Sequence, residues 1–187
     1  GFNEFVICLG YKQHIVKEFF ANYFLHMSDV TFDLEKNEMM VHNNFSEHWK
    51  VTLVDTGYST MTGGRVKRVR HYLGEEPFML TYGDGVSTVD IPALLRFHEK
   101  HGKIATITTV NVGQRFGVIN IESDGTITSF REKAKEDGTV INGGFMVMNP
   151  GIFDYLEGDE TVLEKEPLER LAMDGQLMAY HHQGFWK

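Results

Sequence analysis

Strand-like and helix-like patterns alternate along the whole chain, and that order leaves few folds open. Parallel strands need long crossovers, normally helices, so such a chain is expected to form a mostly parallel sheet flanked by helices. Residues 4–9 read as a buried strand. Residues 11–24 read as a helix, with Ile15, Phe19, Phe20, Tyr23 and Phe24 at helical spacing as its inner stripe. Val30-Thr31-Phe32-Asp33-Leu34 and Met39-Met40-Val41 form a small excursion of strands, and Val51-Thr52-Leu53-Val54 returns to the main pattern. Thr60-Met61-Thr62-Gly63-Gly64-Arg65 opens a helix that buries Val66, Val69 and Leu73. Asp90 caps a helix running to His101, with Ile91, Leu94, Leu95 and His98 inward. Residues 103–110 are a β-branched strand, and 117–121 and 126–130 a hairpin around Asp124-Gly125. Residues 131–137 are a charged loop, residues 140–148 a strand carrying a glycine pair, and residues 166–173 a helix.

At 187 residues the chain is expected to be one domain, residues 1–187, with a sizeable core. Its 42% hydrophobic and 24% charged residues are those of an ordinary globular protein. The net charge of −8 argues against nucleic acid, which needs a concentrated basic face. Any anionic substrate must then be met by local cations. The single cysteine, Cys8, lies in an apolar run and reads as a buried, inert thiol, so no disulfide forms within the chain. No apolar run reaches the roughly 18 residues of a membrane span, and the first residues lack a basic leader. A cytoplasmic, non-membrane setting is expected.

The strongest chemical signal is Pro77-Phe78-Met79-Leu80-Thr81-Tyr82 running into Gly83-Asp84-Gly85. Open α/β sheets hold ligands at strand ends, and one carboxylate between two glycines there suits Mg²⁺ on a phosphate. An Asp-Gly hairpin turn is the plain alternative, and the other Asp-Gly pairs read as turns. The Gly- and Thr-rich mouth before Arg65 suits an anion, through free N–H groups and a fixed charge. A capped surface helix with solvated arginines fits that pattern better. Among nine histidines, His98-Glu99-Lys100-His101 misses the spacing of a helical zinc site and reads as surface, and His181-His182 lacks a third ligand. Asp84, Arg65, Gly143-Gly144 and Glu132-Lys133 remain, all at strand ends or in adjoining loops.

The runs from Ala21-Asn22-Tyr23-Phe24-Leu25-His26-Met27 to Ser28-Asp29-Val30-Thr31-Phe32, then Val54-Asp55-Thr56-Gly57, Met61-Thr62-Gly63-Gly64-Arg65, Thr81-Tyr82-Gly83-Asp84-Gly85 and Ile141-Asn142-Gly143-Gly144-Phe145 carry a resemblance over nearly the whole chain. They resemble the CTP-using branch of the sugar-1-phosphate nucleotidyltransferases, the glucose-1-phosphate cytidylyltransferases. The resemblance implies a doubly wound, mixed and mainly parallel, Rossmann-like α/β sheet. It implies transfer of CMP from CTP to α-D-glucose 1-phosphate, with Mg²⁺, giving CDP-glucose and pyrophosphate. It makes Asp84 the magnesium ligand and, with Arg65, catalytic. Gly83 would be a backbone contact to the nucleotide, with Thr60 and Arg65 as nucleotide-binding positions. Glu132 and Lys133 would hold the sugar and its phosphate, and Asn142, Gly143 and Gly144 would line the sugar pocket with Tyr82 and Arg115.

The chemistry agrees, because an already ionised phosphate oxygen needs no Ser or His base to attack. Two polyanions must be pressed together in line, which calls for positioning and positive charge. Directional groups such as Glu132 and Asn142 suit sugar choice, although Glu132-Lys133 also reads as an exposed charge run. The family's Gly-Thr-Arg loop and Lys-Pro-Lys-Pro do not occur. Gly184-Phe185-Trp186 begins a motif whose later Asp would be a second magnesium ligand. The resemblance therefore implies a chain incomplete at both ends, and a binding or assembly module without turnover is the second reading. Ala134 stands where the family has Pro, with little consequence. The aromatic excursion at residues 21–50 is either a homo-oligomer surface or a self-packed insertion. A metal-dependent glycosyltransferase is disfavoured, since Gly83-Asp84-Gly85 is not Asp-x-Asp.

Overall fold

The computed structural model describes residues 2–112, 118–121, 127–131 and 139–187. The chain divides into two units, Gly1–Gly74 with Leu156–Pro167, and Glu75–Tyr155 with Leu168–Lys187. In the first unit, β1 (Glu4–Leu9) pairs in parallel with β4 (Lys50–Asp55). Only Leu9 of β1 is buried, so the strand is half covered rather than the buried one its composition suggests. Between them lie α1 (Gln13–Ala21), α2 (Tyr23–His26) and the antiparallel hairpin of β2 (Ser28–Asp33) and β3 (Glu38–Asn44).

The expected inner stripe of the first helix is not buried. The helix breaks at Asn22, neither half holds a buried residue, and Ile15 and Phe19 are 51% and 49% exposed. Phe19, Phe20 and Tyr23 instead pack on one another, with ring centroids 5.3 to 5.9 Å apart. The helix therefore satisfies its aromatic face locally and leaves the rest to solvent. Farther on, α3 (Thr62–Arg68) and α4 (Arg70–Leu73) are joined at Val69, and Val66 and Val69 are buried as their spacing requires. Cys8 is half-buried, and burial pushes its thiol above the ordinary value while the Arg65 charge pulls it down. A thiol so shifted is mostly protonated near neutrality, as expected of an inert one.

In the second unit, β10 (Leu177–His182), β6 (Ala105–Val112), β9 (Thr139–Met148) and β5 (Phe78–Thr81) form one sheet in that order. The β10–β6 pair is parallel, and β9 runs antiparallel to both its neighbours. The sheet is thus mixed. β7 (Val118–Ile121) and β8 (Ile127–Arg131) pair antiparallel, as the hairpin reading requires. The core of this unit is Leu94, Ala105, Val110, Met146, Val147, Met148, Ile152 and Leu171. Helix α5 (Ile91–His101) contributes Leu94, and Asp90 Oδ1 accepts the Ala93 N–H at 2.9 Å as its cap. Helix α6 (Glu166–Met173) is closed by the turn at Asp174-Gly175, as read from the sequence, with Gly175 at φ +63°.

His98 faces inward, as its place on the α5 stripe predicts, and not toward the surface as the His98–His101 run suggests. It is 1% exposed, and its Nδ1 lies 2.8 Å from Thr106 Oγ1, which also meets His101 Nε2 at 2.7 Å. The Lys103 N–H donates to His101 Nδ1, so a neutral His101 carries its proton on Nε2 and donates to Thr106. The Thr106 hydroxyl then donates to His98 Nδ1. This polarity holds only while both imidazoles are neutral. The strands packed against α5, namely β6, β9 and β10, carry no carboxylate, and Glu99 on the helix itself is the nearby acid. Burial is the main cause that pushes both histidines down, offset at His98 by Asn149 and Glu99 and reinforced at His101 by His98 and Lys103.

The unfolded chain takes up these protons from about pH 6.5 downward, while the folded unit holds them off. Stability is therefore full above that value and lost as pH falls beneath it. Asp55 and Asp159, held low by Gln13 and by Arg68, act only in a more acidic range. Thermal midpoints read from pH 8 to 5 should drop below about pH 6.5, with a shallower slope for His101→Gln. An unchanged slope in that variant would rule the relay out.

Candidate functional site

Strand β5 ends at Thr81 and turns at Gly83-Asp84, and the chain goes on to α5 rather than back along the sheet. The Gly83-Asp84-Gly85 segment is therefore not a hairpin turn. A Cβ placed on Gly83 would meet nothing within 4 Å, and neither Gly83 nor Gly85 has a positive φ. Nothing in the chain's own packing demands glycine there, which leaves that face of the backbone open to a ligand.

Beside this turn β9 is interrupted. Its register with β6 jumps between Ile107 and Thr109, because these pair with Met146 and Asn142 and leave Gly143, Gly144 and Phe145 opposite Thr108 alone. The Gly144 N–H donates to Asn142 Oδ1 at 2.9 Å, closing an Asx turn that needs the positive φ of Gly144, +79°. The Tyr82 ring lies flush against Gly144, with Cδ2 only 2.7 Å from where a Cβ would stand. Trp186 Nε1–H donates to the Gly143 carbonyl at 2.8 Å.

Together these elements enclose a cleft of about 240 Å³, lined by Thr81, Tyr82, Asp84, Gly85, Asn142, Gly143, Gly144, Trp186 and Lys187. Five of the residues singled out from sequence, Tyr82, Asp84, Asn142, Gly143 and Gly144, meet here, and Gly83 sits in the adjoining turn. Trp186 and Lys187 are two cleft residues that the sequence reading did not assign. The signal for Trp186 was present in the Gly184-Phe185-Trp186 triplet, but its partner is 43 residues away. A larger hollow of about 410 Å³ lies along α1 and α2, lined by Ile15, Glu18, Phe19, Asn22, Leu25 and His26. It is open and holds no convergent set of reactive groups, so the smaller cleft is the chemical candidate.

Thr60 and Arg65 belong to the first unit. Arg65 Nη1 donates to the Leu9 carbonyl at 3.1 Å and to Thr56 Oγ1 at 2.7 Å, fastening the ends of β1 and β4. Gly10 is required there, since a Cβ would meet both Arg65 Nη atoms at 2.8 Å. No carboxylate pairs with Arg65 among the described residues. Arg68, in contrast, is held by both oxygens of Asp159. Thr60 is buried, its Oγ1 against Gly57, whose φ is +93°.

The mouth of α3 is not an open anion site. The Gly63 and Gly64 N–H groups donate to the Thr161 carbonyl at 2.9 and 3.2 Å, and a Cβ on either glycine would strike the backbone of Thr161 or Asp159. Those glycines serve close packing of the 158–161 segment. Arg115, Glu132 and Lys133 lie outside the described residues.

Mg²⁺ can be weighed against the cleft itself. No group of three or more His, Cys, Asp or Glu side chains is gathered anywhere among the described residues. Among the described residues the cleft offers one carboxylate side chain, Asp84. That set cannot cage a resident metal, but it fits Mg²⁺ arriving on phosphates, which keeps waters and takes only one or two carboxylates. No helix among the described residues is long and apolar enough to cross a membrane.

Comparison with known proteins shows the family. The sequence pattern of the nucleotidyl transferase family matches residues 3–187. The chain is 54% identical over 188 residues to glucose-1-phosphate cytidylyltransferase of Salmonella typhi, covering 100% of this chain and 73% of that protein. It is 42% identical to the probable glucose-1-phosphate cytidylyltransferase of Bacillus subtilis, covering 100% of this chain and 72% of that one. Among solved structures, HddC from Yersinia pseudotuberculosis superposes with a TM-score of 0.66 at 19% identity, over 100% of this chain and 72% of that one, which speaks for a shared Rossmann-like fold. With a family pattern spanning all but two residues and identity of this order along the full length, the chain belongs to the nucleotidyl transferase family, beside the glucose-1-phosphate cytidylyltransferases.

Proposed function

We propose that the chain carries out transfer of CMP from CTP to α-D-glucose 1-phosphate, within a single nucleotidyltransferase domain. The observation that carries the reading is the convergence of Tyr82, Asp84 and the Asn142–Gly144 turn on one cleft, in a chain 54% identical to a glucose-1-phosphate cytidylyltransferase. A phosphate oxygen of glucose 1-phosphate attacks the α-phosphorus of CTP. The bond from that phosphorus to the bridging oxygen breaks, and its electron pair leaves with pyrophosphate. The attacking oxygen is already ionised, so the chain need supply no base. Its residues bind, orient and neutralise.

Asp84 would hold Mg²⁺ on the nucleotide's phosphates, and the ion when bound offsets the charge that develops on the pyrophosphate. Gly83 offers its open backbone to the nucleotide. Arg65 and Thr60 of the first unit are the positions that the resemblance assigns to the nucleotide. Asn142, Gly143, Gly144 and Tyr82 form the sugar side, and the resemblance assigns Glu132, Lys133 and Arg115 to the same substrate. Directional groups of this kind reject the wrong hydroxyl pattern more strongly than apolar fit does.

Self-association belongs to the same proposal. It is supported by the exposure of Ile15, Phe19, Phe32, Leu34, Met39 and Met40 of the first unit. Calorimetry of the chain with glucose 1-phosphate, CTP and Mg²⁺ tests the reading, with CDP-glucose sought by mass spectrometry and a species heavier than one chain sought by sedimentation velocity. Measurable heat and a raised thermal midpoint with glucose 1-phosphate are expected. The absence of both would reject the sugar-phosphate site.

A further inference from the structure

We propose that Thr88, with Ser87 and His182, is a positioning residue for the cleft, acting through the Phe185 peptide to hold the Trp186 indole on the Gly143 carbonyl. The inference rests on the sugar-phosphate reading of the cleft, although Thr88 and His182 do not line it. Residues Val86–Thr88 lie just past the Asp84 turn and pair antiparallel with the last residues of the chain. The Val86 and Lys187 N–H groups each donate to the other's carbonyl at 2.9 Å.

The Phe185 peptide is the centre of this contact. Its N–H donates to Thr88 Oγ1 at 3.0 Å. Its carbonyl accepts the Thr88 N–H at 3.0 Å and the Ser87 hydroxyl at 2.9 Å, and faces His182 Nε2 at 3.1 Å. A carbonyl has two lone pairs, so more donors converge than it can serve at full strength, and its position is set from several sides. Burial does not do this work, because the Phe185 ring is 57% exposed. Gly184 allows the approach, since a Cβ there would run into Thr88 Oγ1 and the His182 ring.

The consequence is transmitted by one residue. Trp186 follows Phe185, lines the cleft, and donates to the Gly143 carbonyl beside the Asn142–Gly144 turn. Freeing the Phe185 peptide would therefore let the indole and the turn move while the core of the unit stays intact. Thr88→Val keeps the shape and the backbone N–H of residue 88 but removes the hydroxyl. Thr88→Ser restores the hydroxyl.

The experiment uses the full chain labelled with 5-fluorotryptophan, whose two resonances are assigned with Trp49→Phe and Trp186→Phe. Thr88→Val should shift or broaden the Trp186 resonance and leave that of Trp49 in place. It should weaken glucose 1-phosphate binding about tenfold, the worth of one lost hydrogen bond, with a thermal midpoint changed by little. Thr88→Ser should recover both readouts. An unmoved Trp186 resonance, or unweakened binding, would overturn the proposal. If the unsubstituted chain fails to bind glucose 1-phosphate, the functional reading falls, and the fluorine spectrum still reports on its own whether the clamp exists.

Discussion

Asp84→Asn is expected to abolish Mg²⁺-dependent nucleotide binding, with CTP affinity falling roughly a hundredfold or more, because a full charge facing a divalent ion is replaced by a dipole. The substitution keeps size and shape, so packing is not at issue. Asp84 sits exposed in the turn after β5 and lines the cleft, a place where a surface change normally moves stability by under about 0.5 kcal/mol. The thermal midpoint without ligand should therefore match that of the parent chain. With Mg²⁺ and CTP, the parent should be stabilised in proportion to the logarithm of ligand concentration, and the variant should not. Titrating CTP with Mg²⁺ and again with EDTA separates the two parts of the effect. In EDTA both chains should bind weakly, and the variant no more weakly than its parent, because a carboxylate without its ion repels the phosphates. Equal CTP affinity of the two chains in Mg²⁺ would remove Asp84 from the metal role.

Much of the second unit was legible in the sequence because its signals are local. The Asp90 cap, the Leu94 stripe of α5, and the glycine pair in β9 each announce themselves within a few residues. The strand-then-Asp84 pattern placed that acid at the end of β5 for the same reason. What stayed hidden depends on partners distant in the chain. The Gly63 and Gly64 amides look free until the Thr161 carbonyl is seen to occupy them. His98 and His101 fail as metal ligands by spacing, yet their true partner is the Thr106 hydroxyl on the next strand. Trp186 could be noticed as part of a motif, but its bond to Gly143 follows only from the fold. The stripe on α1 misled in the opposite direction. Periodicity tells which face of a helix is apolar, and it does not tell whether this chain or another surface covers that face.

Gly144→Ala carries the second large effect, because two independent costs meet at one atom. The backbone at Gly144 has φ +79°, a conformation in which an L side chain is strained by about 1–3 kcal/mol. The added Cβ would also stand 2.7 Å from Tyr82 Cδ2 and 3.0 Å from Cε2, inside van der Waals contact with the near side of a ring. The ring must move or the Asx turn at Asn142 must open, and either change reshapes the cleft. A lower thermal midpoint together with loss of glucose 1-phosphate binding is expected. Gly143→Ala should be milder. Its φ is not positive, and its nearest contacts are Val110 Cγ1 at 3.1 Å and the Thr108 carbonyl at 3.2 Å, which need give by only a few tenths of an ångström. Gly83→Ala completes the comparison, since its Cβ meets nothing within 4 Å among the described residues and its φ imposes no strain. Its thermal midpoint should hold while nucleotide binding weakens, because the space it fills is the space the proposal gives to the ligand. A Gly83→Ala chain that binds CTP as tightly as its parent would show that the open face beside Asp84 is not where the nucleotide lies.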